Sequence, residues 1–459
     1  MRAVIAAALL LTTLGTGCRE RELPRSVAPN IVLVVLDTVA AAHIGCTGRT
    51  GGPTPRIDTF AASGVTFRHA YTTAPWTQPA VASILTGRFP SRHGVLRLFD
   101  VLPDAETTLG EVMAGAGFET AGVVSHMLLE ERFGLAQGFG QWNAEAVSRH
   151  EGITSDQVTD AAVNWLRGRS EAPFLLLVHY FDPHLVYHDH EDFDLTHGYS
   201  GPLRPAMGIW DLRDARPSLS RADIGYLRSL HREEIAHVDA NVGRLLDALD
   251  DLDLTPRTTV VLMADHGEEI MEHGWIGHTR TLFDELIRVP LVIRHPQGPV
   301  GLQVDDPVSV VDVFPTLVEM AGLQVPGQLD GRSLTPYLNP PFSVEGAAER
   351  QLFAEVSFTV GPNDGPKHLE KVAFKTAVIK GRYKLIHDLL SNEWRLFDQQ
   401  GDPDELRALG DDDPNRVRLQ AALLAWEAQR TATGSPTGAS RALMGDDEEA
   451  RLRALGYLW

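Results

Sequence analysis

Cysteine is almost absent from this chain of 459 residues, which contains only Cys18 and Cys46. Cys18 closes an apolar N-terminal segment that we expect to be processed. The mature chain would then keep one unmodified thiol, and one thiol cannot form an internal disulfide. This excludes a fold held together by disulfides, and we interpret Cys46 as a packing residue.

Basic residues are also in short supply. Lys and Arg total 41 against 61 Asp and Glu, so the formal net charge at pH 7 is −20. Binding to nucleic acid depends on a basic surface, and we therefore expect no nucleic-acid partner. If the substrate is an anion, a bound cation is the simplest means of offsetting the repulsion.

Membrane-spanning hydrophobic runs are missing as well. The first residues, "MRAVIAAALLLTTLGTGC", form an apolar run that is too short to span a bilayer. One Arg followed by apolar and then small residues is typical of a bacterial export signal. We predict a signal peptide over residues 1–18, of the lipoprotein type because of Cys18, although Gly15 stands where Leu is usual. The protein would then be periplasmic or a membrane-anchored lipoprotein; plain cleavage is the alternative.

Four runs rich in Val, Ile and Leu are present instead: "NIVLVVLD", "PFLLLVHYFD", "TTVVLMAD" and "VPLVIRHP". Such continuous apolar runs are typical of strands buried on both faces. Helical patterns such as "TLGEVMAGAGF" lie between them. The alternation predicts an α/β fold with a large, mainly parallel mixed sheet sandwiched by helices.

The pattern changes past about residue 345. Short alternating runs such as "VAFKTAVIKG" and "RYKLIHD" predict a small antiparallel sheet, with a closing helix in "PNRVRLQAALLAWEAQ". The last residues, "EEARLRALGYLW", predict a short helix that docks back onto the protein. We therefore predict a catalytic domain over 29–340 and a smaller subdomain over 345–459.

Polar residues follow three of the buried strands: Asp37, then Asp182 with His184, then Asp265 with His266. Ligands of parallel sheets bind beyond the carboxyl ends of the strands, so these groups should share one edge. Carboxylates with one imidazole suit a single divalent cation, with Ca or Mg favoured and Mn or Zn possible. The alternative for Asp265 and His266 is a capped turn with a surface histidine.

A candidate nucleophile opens the helical pattern "TQPAVASILTG". Its first residue is Thr77, and the positive end of a helix dipole favours negative charge there. If the hydroxyl also ligates the cation, its pKa falls and an alkoxide becomes available. The alternative is an ordinary N-cap threonine.

From about Asn30 onward, the chain resembles the sulfatases of the alkaline phosphatase superfamily. The resemblance rests on "LVVLDT", "TQPAVASILTGRFPSRHGV", "LLLVHYFDPHLVYH", "MADHGEEIMEHGWIGHTRTLFDELIRVPLVI" and "GRYKLIHD". It implies the fold of that superfamily and assigns roles by position. Asp37, Asp265 and His266 match metal ligands, and Thr77 matches the nucleophile, which also touches the metal.

The resemblance implies two further roles. His184 matches a histidine that binds the charged oxygens of the ester, and His278 falls near a lysine or histidine that contacts the substrate or leaving-group oxygen. The remaining histidines of this region have no such match and are interpreted as solvated or satisfied within the core. They are His179, His188, His190 and His197.

The chain departs from the sulfatase pattern at the nucleophile. The family's Cys or Ser, which becomes formylglycine, is Thr77 here, and Val81 replaces the Arg four places on. Thr38 and Ala40 stand where an acid and an arginine are usual, and "GVVSHM" lacks the usual lysine and histidine unless His126 substitutes. A threonine ester cannot release sulfate by elimination, so water must attack the sulfur or phosphorus directly. This shifts the expected substrate towards phosphate esters.

The sequence therefore predicts a metal-dependent hydrolase of anionic sulfuric or phosphoric esters with a covalent intermediate on Thr77. The cofactor would be one divalent ion, with Ca preferred over Mg, Mn or Zn. Two alternatives stay open: a catalytically silent binding protein of this fold, and a phosphoryl- or sulfo-transferase of the cell envelope.

Overall fold

The computed structural model describes residues 29–48, 52–149, 152–359, 372–432 and 440–458. The signal peptide predicted over residues 1–18 lies outside these ranges, so export and lipidation stay predictions. Within the described ranges, none of the helices combines the length and the apolar character needed to cross a bilayer.

The described chain alternates strands with helices. The strands are β1 (Asn30–Leu36), β2 (Val65–Phe67), β3 (Ala70–Tyr71), β4 (Glu119–Val123), β5 (Gln141–Asn143), β6 (Phe174–Tyr180), β7 (Thr258–Ala264), β8 (Glu269–Ile270), β9 (Ile276–Gly277), β10 (Arg288–Val289), β11 (Leu291–Arg294), β12 (Leu302–Val304), β13 (Val308–Ser309), β14 (Gln351–Phe358), β15 (Ala373–Lys380), β16 (Tyr383–Asp388) and β17 (Glu393–Asp398). The α-helices are α1 (Pro55–Ala61), α2 (Thr77–Thr86), α3 (Pro90–His93), α4 (Leu109–Gly115), α5 (Ser155–Gly168), α6 (Ile209–Ala215), α7 (Arg221–Asp251), α8 (Asp284–Ile287), α9 (Val313–Met320), α10 (Thr335–Leu338), α11 (Pro414–Ala432) and α12 (Asp446–Ala454).

An eight-stranded sheet in the order β12-β2-β11-β7-β1-β6-β4-β5 forms the centre of the molecule. Its middle strands β7, β1 and β6 are parallel and in register, with Val34 opposite both Val178 and Leu262. Every residue of these three strands is buried, which is why they appear as unbroken apolar runs. β11 pairs antiparallel to β7, so the prediction of a mainly parallel mixed sheet is confirmed.

Helix α2, which carries Thr77, lies entirely in the interior of the protein. It ends at Gly87, whose φ of 66° requires the left-handed conformation that glycine adopts without strain. A Cβ at this glycine would come within 3.1 Å of the Phe314 side chain on α9. The glycine thus ends the helix and lets it pack closely on its neighbour.

The smaller sheet is antiparallel, in the order β14-β15-β16-β17, and α11 packs against it. The predicted antiparallel sheet with its closing helix is therefore confirmed, while the division at 340 and 345 stays a prediction. The smaller sheet is attached to the rest of the protein by a hydrogen bond of 2.8 Å from Glu355 N, on β14, to Thr73 O, in the loop after β3. A second link is the ion pair between Arg350 and Asp312, which has two contacts of 2.6 Å.

Replacing Arg350 with methionine should destabilise the protein by about 3 kcal/mol, because it leaves the charge of the fully buried Asp312 uncompensated. Urea unfolding measures the change. The matched control is Lys380→Met, which removes an ion pair to the largely exposed Glu349 and should destabilise the protein far less. Equal effects of the two substitutions would show that burial of the pair does not matter.

Candidate active site

Three polar groups meet where the central strands end. Asp37 directly follows β1 and Asp265 directly follows β7, with His266 next in the chain. The Asp37 N–H donates to Tyr180 O at 2.9 Å and the Asp265 N–H to Leu36 O at 3.2 Å, so the strand pairing continues up to the site. The structure therefore brings together groups that are separated by more than two hundred positions in the sequence, as the strand ends predict.

These three side chains fit a cation. Each offers one donor atom, and these atoms lie within 4.8 Å of one another. Both carboxylate oxygens of Asp37 and Oδ2 of Asp265 are buried without a hydrogen-bond partner among the residues that the structure describes. Burial, reinforced by the negative charges of Asp265 and Glu268, raises the pKa of Asp37 well above its usual range. Buried carboxylates without partners are costly unless a positive charge compensates them, so the donor set suits a divalent metal ion.

His266 is held in the form that a metal ligand takes. Its Nδ1 lies 2.9 Å from Gly267 O, and since a carbonyl only accepts, Nδ1 carries the proton. Nε2 then has a lone pair, and it lies 3.5 Å from Asp37 Oδ1 and 3.7 Å from Asp265 Oδ2. The interpretation of this histidine as a surface residue on a capped turn is wrong, because it is fully buried.

Thr77 completes this group. It is the first residue of α2; the N-cap is Trp76, and the Trp76 side chain makes no capping bond. The Thr77 hydroxyl lies 3.2 Å from His266 Nε2, so the alternative of an N-cap threonine is wrong. The hydroxyl is thus located at the helix N-terminus and beside the carboxylate cluster, which are the two features that favour an anionic oxygen.

His184 and His278 lie next to each other, with ring centroids 4.9 Å apart. His184 Nδ1 lies 2.5 Å from Leu185 O, and its Nε2 is buried without a partner. Burial, followed by the charge of His278, lowers the pKa of His184 to about 3. His278 Nδ1 lies 2.9 Å from Glu268 Oε1, a carboxylate that the sequence analysis did not single out.

Two more histidines belong to the site. His179 Nε2 lies 3.8 Å from both Asp37 Oδ2 and Asp265 Oδ2. Its interpretation as solvated or satisfied is therefore wrong; in the β1–β6 register it pairs with Val35, two residues before Asp37. His126, the substitute considered in "GVVSHM", is buried with its ring centroid 5.7 Å from that of His184.

A tyrosine far along the chain also enters the site. The Tyr457 hydroxyl lies 2.9 Å from His278 Nε2, 3.4 Å from Thr77 Oγ1 and 3.4 Å from His126 Nε2. The sequence predicts that the segment "EEARLRALGYLW" docks back, and α12 followed by Tyr457 does so. No pattern in the sequence indicates that it docks into the site.

A second group of possible ligands lies nearby, formed by Glu269, His273 and Glu285. His273 Nδ1 lies 2.7 Å from Glu285 Oε1, and Nε2 lies 3.2 Å from Glu405 O. The hydrogen bond and charge of Glu285 raise the pKa of His273 despite its partial burial. Both ring nitrogens are engaged, so this group is explained as an ion pair.

Comparisons with known proteins identify the family of the chain. The family model described as Sulfatase matches residues 29–323, and one described as N-sulphoglucosamine sulphohydrolase, C-terminal, matches residues 271–428. An uncharacterized sulfatase, YidJ, from Escherichia coli (strain K12) is 26% identical over 432 residues, covering 84% of this chain and 83% of that protein.

Two further comparisons point the same way. N-acetylglucosamine-6-O-sulfatase from Bacteroides thetaiotaomicron is 24% identical over 483 residues, covering 85% of this chain and 84% of that protein. The solved structure of phosphonate monoester hydrolase from Agrobacterium radiobacter has a TM-score of 0.73 and 23% identity, covering 88% of this chain and 96% of that chain. With a family model matched over more than half of its length, and with this fold, the chain belongs to the sulfatase family of ester hydrolases.

Proposed function

We propose that this protein hydrolyses anionic esters of sulfuric or phosphoric acid through a covalent intermediate on Thr77. The observation that carries the proposal is the 3.2 Å contact between Thr77 Oγ1 and His266 Nε2, within a buried cluster of metal-binding character. Nothing else in that cluster is a nucleophile, since Asp37, Asp265 and His266 serve better as ligands.

The cation would be held by Asp37, Asp265, His266 and the hydroxyl of Thr77. We infer one ion, with Ca²⁺ preferred because three of these four donors are oxygens, and with Mg²⁺, Mn²⁺ or Zn²⁺ as alternatives. When bound, a divalent ion lowers the pKa of the neighbouring hydroxyl and offsets negative charge in the transition state.

Each residue of the site then has its own role in a reaction of two steps. In the first step a bond forms from Thr77 Oγ1 to the sulfur or phosphorus, and the bond to the leaving-group oxygen breaks. That oxygen takes a proton from His278, and the proton lost by Thr77 replaces it on the His278–Glu268 pair. In the second step water attacks the sulfur or phosphorus, the bond from that atom to Thr77 Oγ1 breaks, and the proton that the water loses regenerates the Thr77 hydroxyl. His184, with an unpartnered Nε2, orients the charged ester oxygens.

The nucleophile favours phosphorus over sulfur. Thr77 cannot become formylglycine, so the covalent ester must be released by attack of water on the central atom. The relatives include both chemistries by name, an N-acetylglucosamine-6-O-sulfatase and a phosphonate monoester hydrolase. We therefore infer phosphate or phosphonate esters as the better substrates, with sulfate esters as the second choice.

A panel of 4-nitrophenyl sulfate, phosphate, phosphodiester and phosphonate tests the proposal, each with Ca²⁺, Mg²⁺, Mn²⁺ or Zn²⁺. We expect turnover of at least one ester that is lost with a chelator and restored by added metal, and we expect a phosphorus ester to rank first. Phosphate or sulfate release, quantified alongside nitrophenol, is the control for non-specific hydrolysis. Absence of turnover under every condition would contradict the hydrolase.

A silent binding protein is the second candidate. Thr77, His184 and His278 are all buried, so the site is closed as the structure describes it. Val81 and Ala40 also stand where the family pattern has arginines, and Thr38 stands where it has an acid. In that case a divalent ion would raise the melting temperature while no ester of the panel is cleaved.

A further inference from the structure

Residues 440–458, here called the Tyr457 segment, reach the site along the protein surface. Its start is held by backbone hydrogen bonds from Val101 N to Ser440 O and from Ala442 N to Phe99 O, each 2.9 Å. Near its end, Trp210 Nε1 donates to Arg453 O at 2.8 Å and Arg213 Nη1 donates to Gly456 O at 3.2 Å. Gly456, with a φ of 77°, then turns the chain inward.

The oxygen of Tyr457 occupies a position that the chemistry needs. It lies 2.9 Å from His278 Nε2, the group assigned above to the leaving-group oxygen, and 3.4 Å from the attacking Thr77 Oγ1. An ester bound for attack on its central atom places its leaving-group oxygen beside that proton donor. The tyrosine hydroxyl is therefore where a departing phenol would be.

The ring of Tyr457 fills an aromatic slot. It stacks on His184 at 28° with centroids 6.0 Å apart, and it lies 6.4 Å from Trp76, 5.8 Å from His126 and 6.5 Å from Phe358. Such walls bind a flat ring through apolar area and aromatic contacts. Withdrawal of the tyrosine would leave a space of about the size and chemistry of one phenol.

Tyr457 is one of the groups that cover the nucleophile. Thr77 has 0% of its surface exposed, His184 1% and His278 3%, while Tyr457 itself has 1%. A substrate cannot contact Thr77 Oγ1 while these groups exclude even water. Most of α12 is exposed, and the buried side chains of the segment are Leu452, Leu455, Tyr457 and Leu458, fewer than the seven buried residues of each central strand.

We propose that the slot holding Tyr457 is the leaving-group subsite, that it takes an aromatic leaving group, and that the Tyr457 segment is its removable occupant. The inference rests on the proposed hydrolase function of the same site. A substrate binds only to molecules from which the segment has withdrawn. The apparent affinity is therefore the intrinsic affinity multiplied by the fraction of molecules in that open state.

Three variants test this: Tyr457→Ala, Tyr457→Phe and a chain that stops at residue 439. Tyr457→Ala and the shortened chain should raise kcat/KM for 4-nitrophenyl esters about tenfold or more, mainly through a lower KM, because the occupant is gone. Tyr457→Phe keeps the ring in the slot and should stay within about threefold of the wild type. The matched control is Leu443→Ala, in the same segment but 93% exposed, which should change nothing.

Specificity provides the second comparison. The rise in kcat/KM caused by Tyr457→Ala should be larger for aryl than for alkyl esters of the same acid. An equal rise for both would contradict an aromatic subsite. A fall in kcat in Tyr457→Phe and Tyr457→Ala alike, at unchanged KM, would show that the hydroxyl is needed and overturn the inference. Melting temperatures of all variants identify any that fail to fold, and Tyr457→Ala replaces the shortened chain in that case.

Binding separates this inference from the hydrolase itself. In equilibrium dialysis, 4-nitrophenol should bind Tyr457→Ala and not the wild type. If this holds while no variant cleaves any ester, the subsite stands and the hydrolase fails. If the wild type cleaves esters while 4-nitrophenol binds neither protein, the hydrolase stands and the subsite inference is wrong.

Discussion

Replacing Thr77 with alanine should lower kcat/KM by about 10⁴-fold or more for whichever ester the wild type cleaves best, because the covalent route loses its attacking atom. The loss should appear in kcat, since the ester still meets His184 and the carboxylate cluster. Stability should change by under about 1 kcal/mol, because the hydroxyl contacts only His266 and Tyr457. Steady-state kinetics with urea unfolding measures both quantities.

Two variants make the result specific. Thr77→Ser keeps a hydroxyl at the same atom and should retain a measurable fraction of the activity. Thr86→Ala removes another buried hydroxyl of the same helix, one that bonds only to Ala82 O at 2.7 Å, and should leave kcat unchanged. Equal rates for Thr77→Ala and the wild type would show that water, rather than Thr77, attacks the ester.

Much of the fold can be predicted because its central strands are buried on both faces. β1, β6 and β7 each contain five or six consecutive apolar residues, a pattern that indicates a strand buried on both faces. The order of the strands in the sheet cannot be predicted from such local patterns. The short strand β2 lies between β11 and β12, and this pairing depends on contacts between residues far apart in the chain.

The site was predictable to the extent that strand ends determine it. Asp37, Asp265 and His266 follow apolar runs and therefore share an edge. His179 was missed because it lies within a strand, where burial on both faces hides which side a residue points to. Tyr457 was missed for a different reason: it is 380 positions from Thr77, and the local pattern around it predicts only a docking helix.

The second large effect concerns Asp37: its replacement by asparagine should leave the protein at least as stable as the wild type without metal, and less stable than the wild type with metal. Without metal, burial and the neighbouring acids raise the pKa of Asp37, so the folded protein binds a proton more tightly than the unfolded chain. The contribution of Asp37 to the free energy of unfolding should then fall as the pH rises from about 4, the ordinary value for Asp, towards the raised pKa. Asp37→Asn carries no charge to desolvate, so at pH 7 and without metal it should be at least as stable as the wild type.

Added cation should make the wild type more stable than Asp37→Asn. The wild type gains RT ln(1 + [M]/Kd), about 2.7 kcal/mol when the free ion is at a hundred times its Kd, whereas Asp37→Asn loses one of two carboxylate ligands and gains far less. Melting temperatures at pH 7 with a chelator, and with Ca²⁺, Mg²⁺, Mn²⁺ or Zn²⁺, give both comparisons without any assay of activity.

The control is Asp182→Asn, a buried carboxylate that accepts from Thr154 N at 2.7 Å and from Ser155 N at 2.8 Å instead of facing the cluster. That variant should be destabilised equally with and without metal. If Asp37→Asn and the wild type respond alike to every ion, the paired carboxylates at the ends of β1 and β7 do not hold a cation, and the activation of Thr77 needs another source.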